Sequence, residues 1–126
     1  MQSTKKILAA GLLSLASVFT AGAAHAQWGA VACGTWRDNS GTARVAIGSA
    51  LNYGTEAQAR DRALQECRSR GQNCTVETFN RGCGFITVGS TTNAVRCTTG
   101  TTKDEALRKC RVGGYNCKDP IGGCIN

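Results

Sequence analysis

The sequence predicts an α+β fold of two repeated strand-strand-helix-strand units, residues 28–82 and 83–126, that form one antiparallel sheet with two helices and are stapled by disulfides. Two observations support this prediction. A stretch of 15 residues occurs twice, at residues 60–74 and 103–117, with eight identical positions, and such a repeat indicates a duplicated unit. The chain also has eight cysteines in 126 residues, an even number typical of a disulfide framework in a short exported domain.

Each copy of the repeated stretch contains an amphipathic helix. Thr55 and Gln58 form a capping box before the first helix, and Thr102 and Glu105 form the equivalent box before the second. Within each helix, Ala, Leu and Cys recur on one stripe at helical spacing, which predicts packing on the sheet. A glycine follows each helix, Gly71 in the first copy and Gly114 in the second, and we expect both to be left-handed C-terminal residues.

Strands flank each helix. Residues 28–34 have the pattern of a strand and match residues 83–89, so each unit opens with the same element. Turn signals rich in Asn, Asp, Ser and Gly follow these opening strands. The further strands are predicted, in chain order, at residues 43–50, 74–79, 94–98 and 116–118.

The first 26 residues are typical of a secretory signal peptide. Lys5 and Lys6 form the charged region, residues 7–23 the apolar region and Ala24-His25-Ala26 a cleavage site. A retained membrane anchor is the alternative, and it is disfavoured because the apolar run is short and ends at a cleavage motif. We therefore expect one mature domain, residues 27–126, exported to the periplasm or the medium, with no membrane span after cleavage.

The composition of the mature residues argues against most catalytic sites. They carry 13 Lys+Arg against 8 Asp+Glu, and they contain no histidine. Without an imidazole, Ser-His-Asp and Cys-His sites are excluded, and without a C-x-x-C pair neither a thioredoxin-like site nor a zinc site is favoured. A Ser-Lys dyad would need Lys103, Lys109 or Lys118, which lie among charged or turn residues. We expect no catalytic residue, no cofactor and no metal.

Four segments of the mature chain resemble the bacterial family named domain of unknown function 4189. They are Trp28-Gly29-Ala30-Val31-Ala32, the Ala-Leu-x-x-Cys motif of each helix, and Cys83-Gly84-Phe85-Ile86-Thr87-Val88-Gly89. The resemblance covers nearly all of the mature chain in order, and it implies an exported, Cys-rich single domain with no catalytic motif to transfer. Cys33 and Cys97 depart from the family pattern, and this departure predicts an extra bridge.

The repeat predicts the disulfide pairs. Cys67 lies one turn before Gly71, and Cys74 lies three residues after it, so both are expected between helix and sheet within the about 7 Å Cα separation that a bridge requires. The remaining predicted pairs are Cys110–Cys117 by equivalence, Cys83–Cys124 as the ends of the two units, and Cys33–Cys97 as the two departures from the family pattern.

A surplus of arginine is the remaining functional signal. Arg62, Arg68, Arg108 and Arg111 project from the two helices away from the apolar stripe. The simplest interpretation is a solvated helix face that nearby acidic residues partly neutralise. The functional interpretation is a docking surface for an acidic protein, a lipid headgroup surface or an anionic envelope polymer. Nucleic acid is not expected, because the chain is exported and aromatic residues do not alternate with basic ones.

Three classes of function remain open. The preferred one is a secreted or periplasmic, disulfide-stabilised binding module of unknown ligand, of an inhibitor, immunity-type or virulence-associated kind. The second is a structural component of the cell envelope. The third is a carboxylate-based hydrolase that uses Asp38, in a loop, with Glu77, on a strand. The sequence does not distinguish the partner or the oligomeric state.

Overall fold

The structure is a computed structural model that describes residues 27–125. The predicted signal peptide therefore lies outside the described residues. The α+β class agrees with the prediction, and both units contain the predicted order strand-strand-helix-strand. The second unit adds a final strand at residues 121–124, where no strand was predicted. The elements of the described part are β1 (Trp28–Arg37), β2 (Ala43–Tyr53), α1 (Glu56–Arg68), β3 (Thr75–Asn80), β4 (Cys83–Ser90), β5 (Val95–Gly100), α2 (Lys103–Arg111), β6 (Asn116–Cys117) and β7 (Ile121–Cys124).

The strands form two antiparallel sheets, whereas the sequence predicted one. In the first sheet β1 lies between β2 and β3, and in the second β4 lies between β5 on one side and β6 and β7 on the other. Each unit thus builds its own sheet around its opening strand. The reason is visible in β1, where Gly29–Gly34 are buried without a break. A strand buried on both faces needs a cover on each, and a second sheet supplies one of them.

The two sheets face each other, and each has a helix on its outer side. Ala30 and Ala32 of β1 pack with the buried alanines of α1. Val31 and Cys33 point the other way, into a core that contains Ile86 of β4. On the far side of β4, a Cβ at Gly89 would overlap Sγ of Cys110 in α2. The order of layers is therefore α1, first sheet, second sheet, α2.

The equivalent helix–strand contacts of the two units use different chemistry. A Cβ at Gly48 of β2 would overlap the carbonyl oxygen of Ala63 in α1, so strand and helix backbones touch there. At the equivalent place in the second unit, Thr98 Oγ1 donates a hydrogen bond of 2.7 Å to the carbonyl oxygen of Ala106. A small residue in one unit and a hydroxyl in the other thus hold the helix against its sheet.

Thr87 of β4 is fully buried, and its hydroxyl has no hydrogen-bond partner among the described residues. Because an unsatisfied buried hydroxyl is destabilising, we expect Thr87→Val to raise the free energy of unfolding by about 1 kcal/mol. Thr98→Val is the matched control. It removes the same hydroxyl where that group is bonded, and it should lower stability by about 1 kcal/mol. Urea unfolding of the oxidised variants measures both, and shifts of the same sign would contradict this interpretation.

Candidate functional site

Four disulfides stabilise the molecule, and they are the four pairs that the sequence analysis predicts. Every cysteine among residues 27–125 is bridged, so these residues offer no free thiol. Two bridges join a helix end to the following strand, one closes the second sheet, and one joins the two sheets. In that order they are Cys67–Cys74 and Cys110–Cys117, each with a Cα separation of 6.2 Å, then Cys83–Cys124 at 4.0 Å and Cys33–Cys97 at 6.2 Å.

Asp38 stabilises the turn between β1 and β2 through hydrogen bonds to its carboxylate. Its carboxylate accepts hydrogen bonds from Ser40 Oγ at 2.7 Å and from the backbone N–H of Thr42 at 2.9 Å. Arg44 Nε lies 3.0 Å from its other oxygen. These donors, the Ser40 hydroxyl first, hold the pKa of Asp38 well below its ordinary value. Asp38 is therefore an ionised anchor of the turn and a poor general acid.

Glu77 is not brought close to Asp38. It lies on β3 opposite Val31 of β1, and Asp38 follows the end of β1 seven residues further along. At about 3.3 Å per residue the backbone positions of the two residues are roughly 23 Å apart, too far for their side chains to reach the roughly 5–9.5 Å carboxylate separation that glycosidases use. Glu77 instead lies 3.7 Å from Lys109 Nζ. The arrangement therefore offers no support for the proposed catalytic pair.

The structure separates the four arginines into two pairs. Arg62 and Arg68 lie on α1, Arg108 and Arg111 lie on α2, and all four are exposed. Since the helices cover opposite outer sides of the stacked sheets, three layer spacings of about 10 Å each separate them. The two pairs therefore belong to two distinct surfaces.

The two surfaces differ in how far their charge is neutralised. On α1, Arg62 lies 3.7 Å from Glu66, and Arg68 has no carboxylate at ion-pair distance among the described residues. On α2, the ion pairs within residues 27–125 use Lys109 and leave Arg108 and Arg111 without a carboxylate at ion-pair distance. We call Arg108 and Arg111 the α2 basic face.

Arg96 of β5 is a structurally important residue that the sequence analysis missed. Its guanidinium donates to the carbonyl oxygens of Lys109 at 3.4 Å and Cys110 at 3.3 Å, and also to that of Val112. The ring of Tyr115 lies 4.0 Å below it, at cation–π distance. Arg96 therefore caps the carboxyl end of α2 with a fixed positive charge. An arginine in a short strand gives no sequence signal for this role.

One edge of β1 is open beyond Cys33, which pairs with the first residue of β3. The pairing of β3 with β1 stops at Cys33. On that side Thr75 Oγ1 donates to the Cys33 carbonyl and Asn73 Nδ2 to the Thr35 carbonyl, each at 3.4 Å. Because backbone groups alternate sides along a strand, Arg37 directs its N–H and C=O to this side too. Thr35 and Arg37 thus have no neighbouring strand there.

The edge of β5 lies across a gap from this open edge of β1. Two adjoining cavities of about 280 and 210 Å³ fill the gap, and Thr35, Asn73 and Val95 line both of them. The Cys33–Cys97 bridge lies in the lining at one end. Near the other end, Arg37 Nη2 donates to the Asn93 carbonyl oxygen at 3.5 Å. We call this concavity, from Thr35–Arg37 of β1 to Val95–Cys97 of β5, the inter-edge groove.

Comparison with protein families agrees with the resemblance seen in the sequence. The family model described as Domain of unknown function (DUF4189) matches residues 28–124. The chain belongs to the DUF4189 family. The match runs from β1 to β7 and so includes both units of this DUF4189 chain. No curated protein and no solved structure matches it.

Two further structural observations concern this DUF4189 chain. Among residues 27–125, neither helix is both long and apolar enough to cross a membrane. The same residues bring no three side chains of His, Cys, Asp or Glu together in a set that could hold a metal ion. The α2 basic face and the inter-edge groove are therefore the features of the DUF4189 domain that we consider for function.

Proposed function

We propose that this chain is an exported, non-catalytic binding module that recognises an acidic partner protein through the α2 basic face. The observation that carries this proposal is a contrast between the helices: on α1 only Arg68 of the two arginines lacks a carboxylate at ion-pair distance, while on α2 both Arg108 and Arg111 lack one among the described residues. Binding of this kind is compatible with an inhibitor, an immunity-type protein or a virulence-associated protein.

Two features support export. The first 26 residues have the charged, apolar and small-residue pattern of a signal peptide. Four disulfides in so small a domain are typical of an oxidising compartment such as the periplasm or the medium. The same bridges supply the stability that a small core alone would not.

The absence of an activated group supports binding over catalysis. Residues 27–126 contain no histidine, and the cysteines of the described part are all oxidised. Asp38 is engaged by its own turn and lies far from Glu77. The pair Asp38 and Glu77 therefore gives no support to a carboxylate-based hydrolase.

The chemistry of arginine fits a partner with carboxylates. Arg108 and Arg111 are three positions apart and hence neighbours on one helix face. The planar guanidinium bonds two oxygens of a carboxylate at once, and such bonds are stronger than those between neutral groups. Both residues also lie in the last turn of α2, where positive charge favours the helix. Stability and partner capture must therefore be measured separately.

We expect the oxidised double variant Arg108→Glu/Arg111→Glu to bind its partner at least roughly tenfold more weakly than the native protein. Partners are first captured from periplasm and culture supernatant with native residues 27–126 and identified by mass spectrometry. The affinity of each purified partner is then measured at low and high salt, and binding should weaken as salt rises.

The matched control is Arg62→Glu/Arg68→Glu, which makes the same charge change on α1. It should retain the native affinity, and circular dichroism should show both variants folded. If the α2 variant binds as tightly as the control, the α2 basic face is only solvated surface and the proposal fails. Recovery of the protein in bulk with insoluble envelope material, without a specific acidic protein, would favour a structural envelope component.

A further inference from the structure

We propose that the inter-edge groove binds an extended acidic peptide segment, which adds as a strand to the open edge of β1. This inference rests on the proposed function only for the expectation that the partner is acidic. The groove and the α2 basic face are separate sites. In this mode, backbone hydrogen bonds supply affinity and side-chain pockets supply selectivity.

The first support is the unpaired backbone. Strand edges with free N–H and C=O groups template the addition of another strand, and proteins ordinarily cover them. Helix side chains cover part of two other strand edges. On β2, Glu66 accepts from the Ser49 N–H at 3.2 Å, and on β5, Lys109 Nζ donates to the Thr99 carbonyl oxygen at 2.8 Å. At the edge of β1, Asn73 Nδ2 donates to the Thr35 carbonyl oxygen, but no strand pairs with Thr35 or Arg37 on that side. The Thr35 N–H and the backbone groups of Arg37 are therefore left without a strand partner there.

The second support is the shape of the gap. No strand lies beside Thr35–Arg37, because β3 begins only at Thr75, opposite Cys33. The open edge is three residues long, roughly 10 Å, and the cavity beside it measures about 280 Å³. An extended segment of three or four residues matches that length. The edge of β5 at Val95 and Cys97 would border the segment on its other side.

The third support is charge complementarity. The residues that line the two cavities include Arg37 and Arg96 and no aspartate or glutamate. Both cations are held by carbonyl oxygens, which do not neutralise them. Arg37 Nη1 donates to Gly41 at 2.8 Å, and Arg96 caps α2. Because these hydrogen bonds already hold the two arginine side chains, a peptide with carboxylates can bind without the entropy cost of ordering them.

The experiment uses a defined probe, the acetylated and amidated hexapeptide Glu-Val-Glu-Val-Glu-Val, titrated into isotope-labelled, oxidised residues 27–126. We expect saturable shifts of the backbone amide signals of Thr35, Arg37, Val95 and Cys97, and slower hydrogen exchange at Thr35 and Arg37. The same peptide with Lys in place of Glu, and one with alternate backbone nitrogens methylated, should each bind at least roughly tenfold more weakly. Equal binding of the methylated peptide, or no saturable shift at millimolar concentration, would overturn the proposal.

Two variants separate this site from the α2 basic face. Arg37→Gln should weaken the hexapeptide roughly tenfold, while the matched control Arg68→Gln, which removes the same charge from α1, should not. Arg108→Glu/Arg111→Glu should keep hexapeptide binding even where it loses the captured protein. In the opposite result, the α2 variant would lose hexapeptide binding and Arg37→Gln would keep it. That result would contradict binding in the inter-edge groove, and it would leave the proposed function unaffected. Shifts of the groove amides on dilution without peptide would identify a second copy of the chain as the occupant and would also overturn the proposal.

Discussion

We expect the double variant Cys33→Ala/Cys97→Ala to have a free energy of unfolding about 4 kcal/mol lower than that of the oxidised native protein. This bridge spans 64 residues, and a bridge across a long loop removes more freedom from the unfolded chain than one across a short loop. It also joins β1 of the first sheet to β5 of the second. Its loss therefore removes the covalent link between the sheets as well as a loop constraint.

Cys67→Ala/Cys74→Ala is the matched control. It also removes one buried bridge, but that bridge spans 7 residues and should contribute about 2 kcal/mol in the same loop model. Urea unfolding without reductant measures both variants, after peptide mapping shows that the other three bridges are native. Equal losses would mean that local packing, and not loop closure, determines the contribution of each bridge.

Gly48→Ala should cost about 3 kcal/mol or more, because its new Cβ would overlap the carbonyl oxygen of Ala63 and crowd the backbone nitrogen of Cys67. Both contacts are backbone atoms of α1, so no side chain can turn away to make room. The helix must move off the sheet, and the small-residue core of Ala30, Ala32 and their partners would open with it.

Gly54→Ala is the control for this substitution. Its added Cβ would meet Gln58 Oε1 at 3.6 Å, an ordinary contact, so we expect a change within about 0.5 kcal/mol. Thermal and urea unfolding compare the two variants. A Gly48→Ala protein as stable as Gly54→Ala would show that α1 can shift freely over β2.

The local elements were predictable because short-range chemistry determines them. Thr55 Oγ1 accepts from the Gln58 N–H and Thr102 Oγ1 from the Glu105 N–H, each at 3.1 Å, so both predicted helices begin at their capping threonines. Three of the disulfide pairs followed from the same repeat, and Cys33–Cys97 followed from the departure of those two residues from the family pattern. Gly114 is left-handed as expected, with φ of 84°.

Gly71 shows where a local rule failed. It does not adopt positive φ, since α1 ends at Arg68 and Ser69 caps it in a right-handed conformation. A Cβ at this position would overlap Trp36 of β1. The glycine is thus required by a distant strand, and no neighbouring residue in the sequence could indicate that.

The arrangement of sheets and charges was beyond the sequence for a similar reason. Helical spacing placed the arginines on exposed faces, but it could not show that those faces lie on opposite sides of two sheets. Nor could it show the open edge of β1, which depends on where β3 stops pairing. The unbroken run of small and apolar residues at 29–34 was the available sequence signal for a strand covered on both faces.

The stacking of the two sheets also bears on how such a chain could arise. A single unit ending at residue 82 would expose Val31 and Phe79, which the complete chain buries between the units. Such a half-length ancestor would have to associate with a second copy to cover that face, and its stability would depend on its concentration. Joining two copies in one polypeptide makes that association intramolecular and replaces the ambient concentration by a much higher effective one. The tandem duplication would thus have turned an interface between two chains into the interior of one.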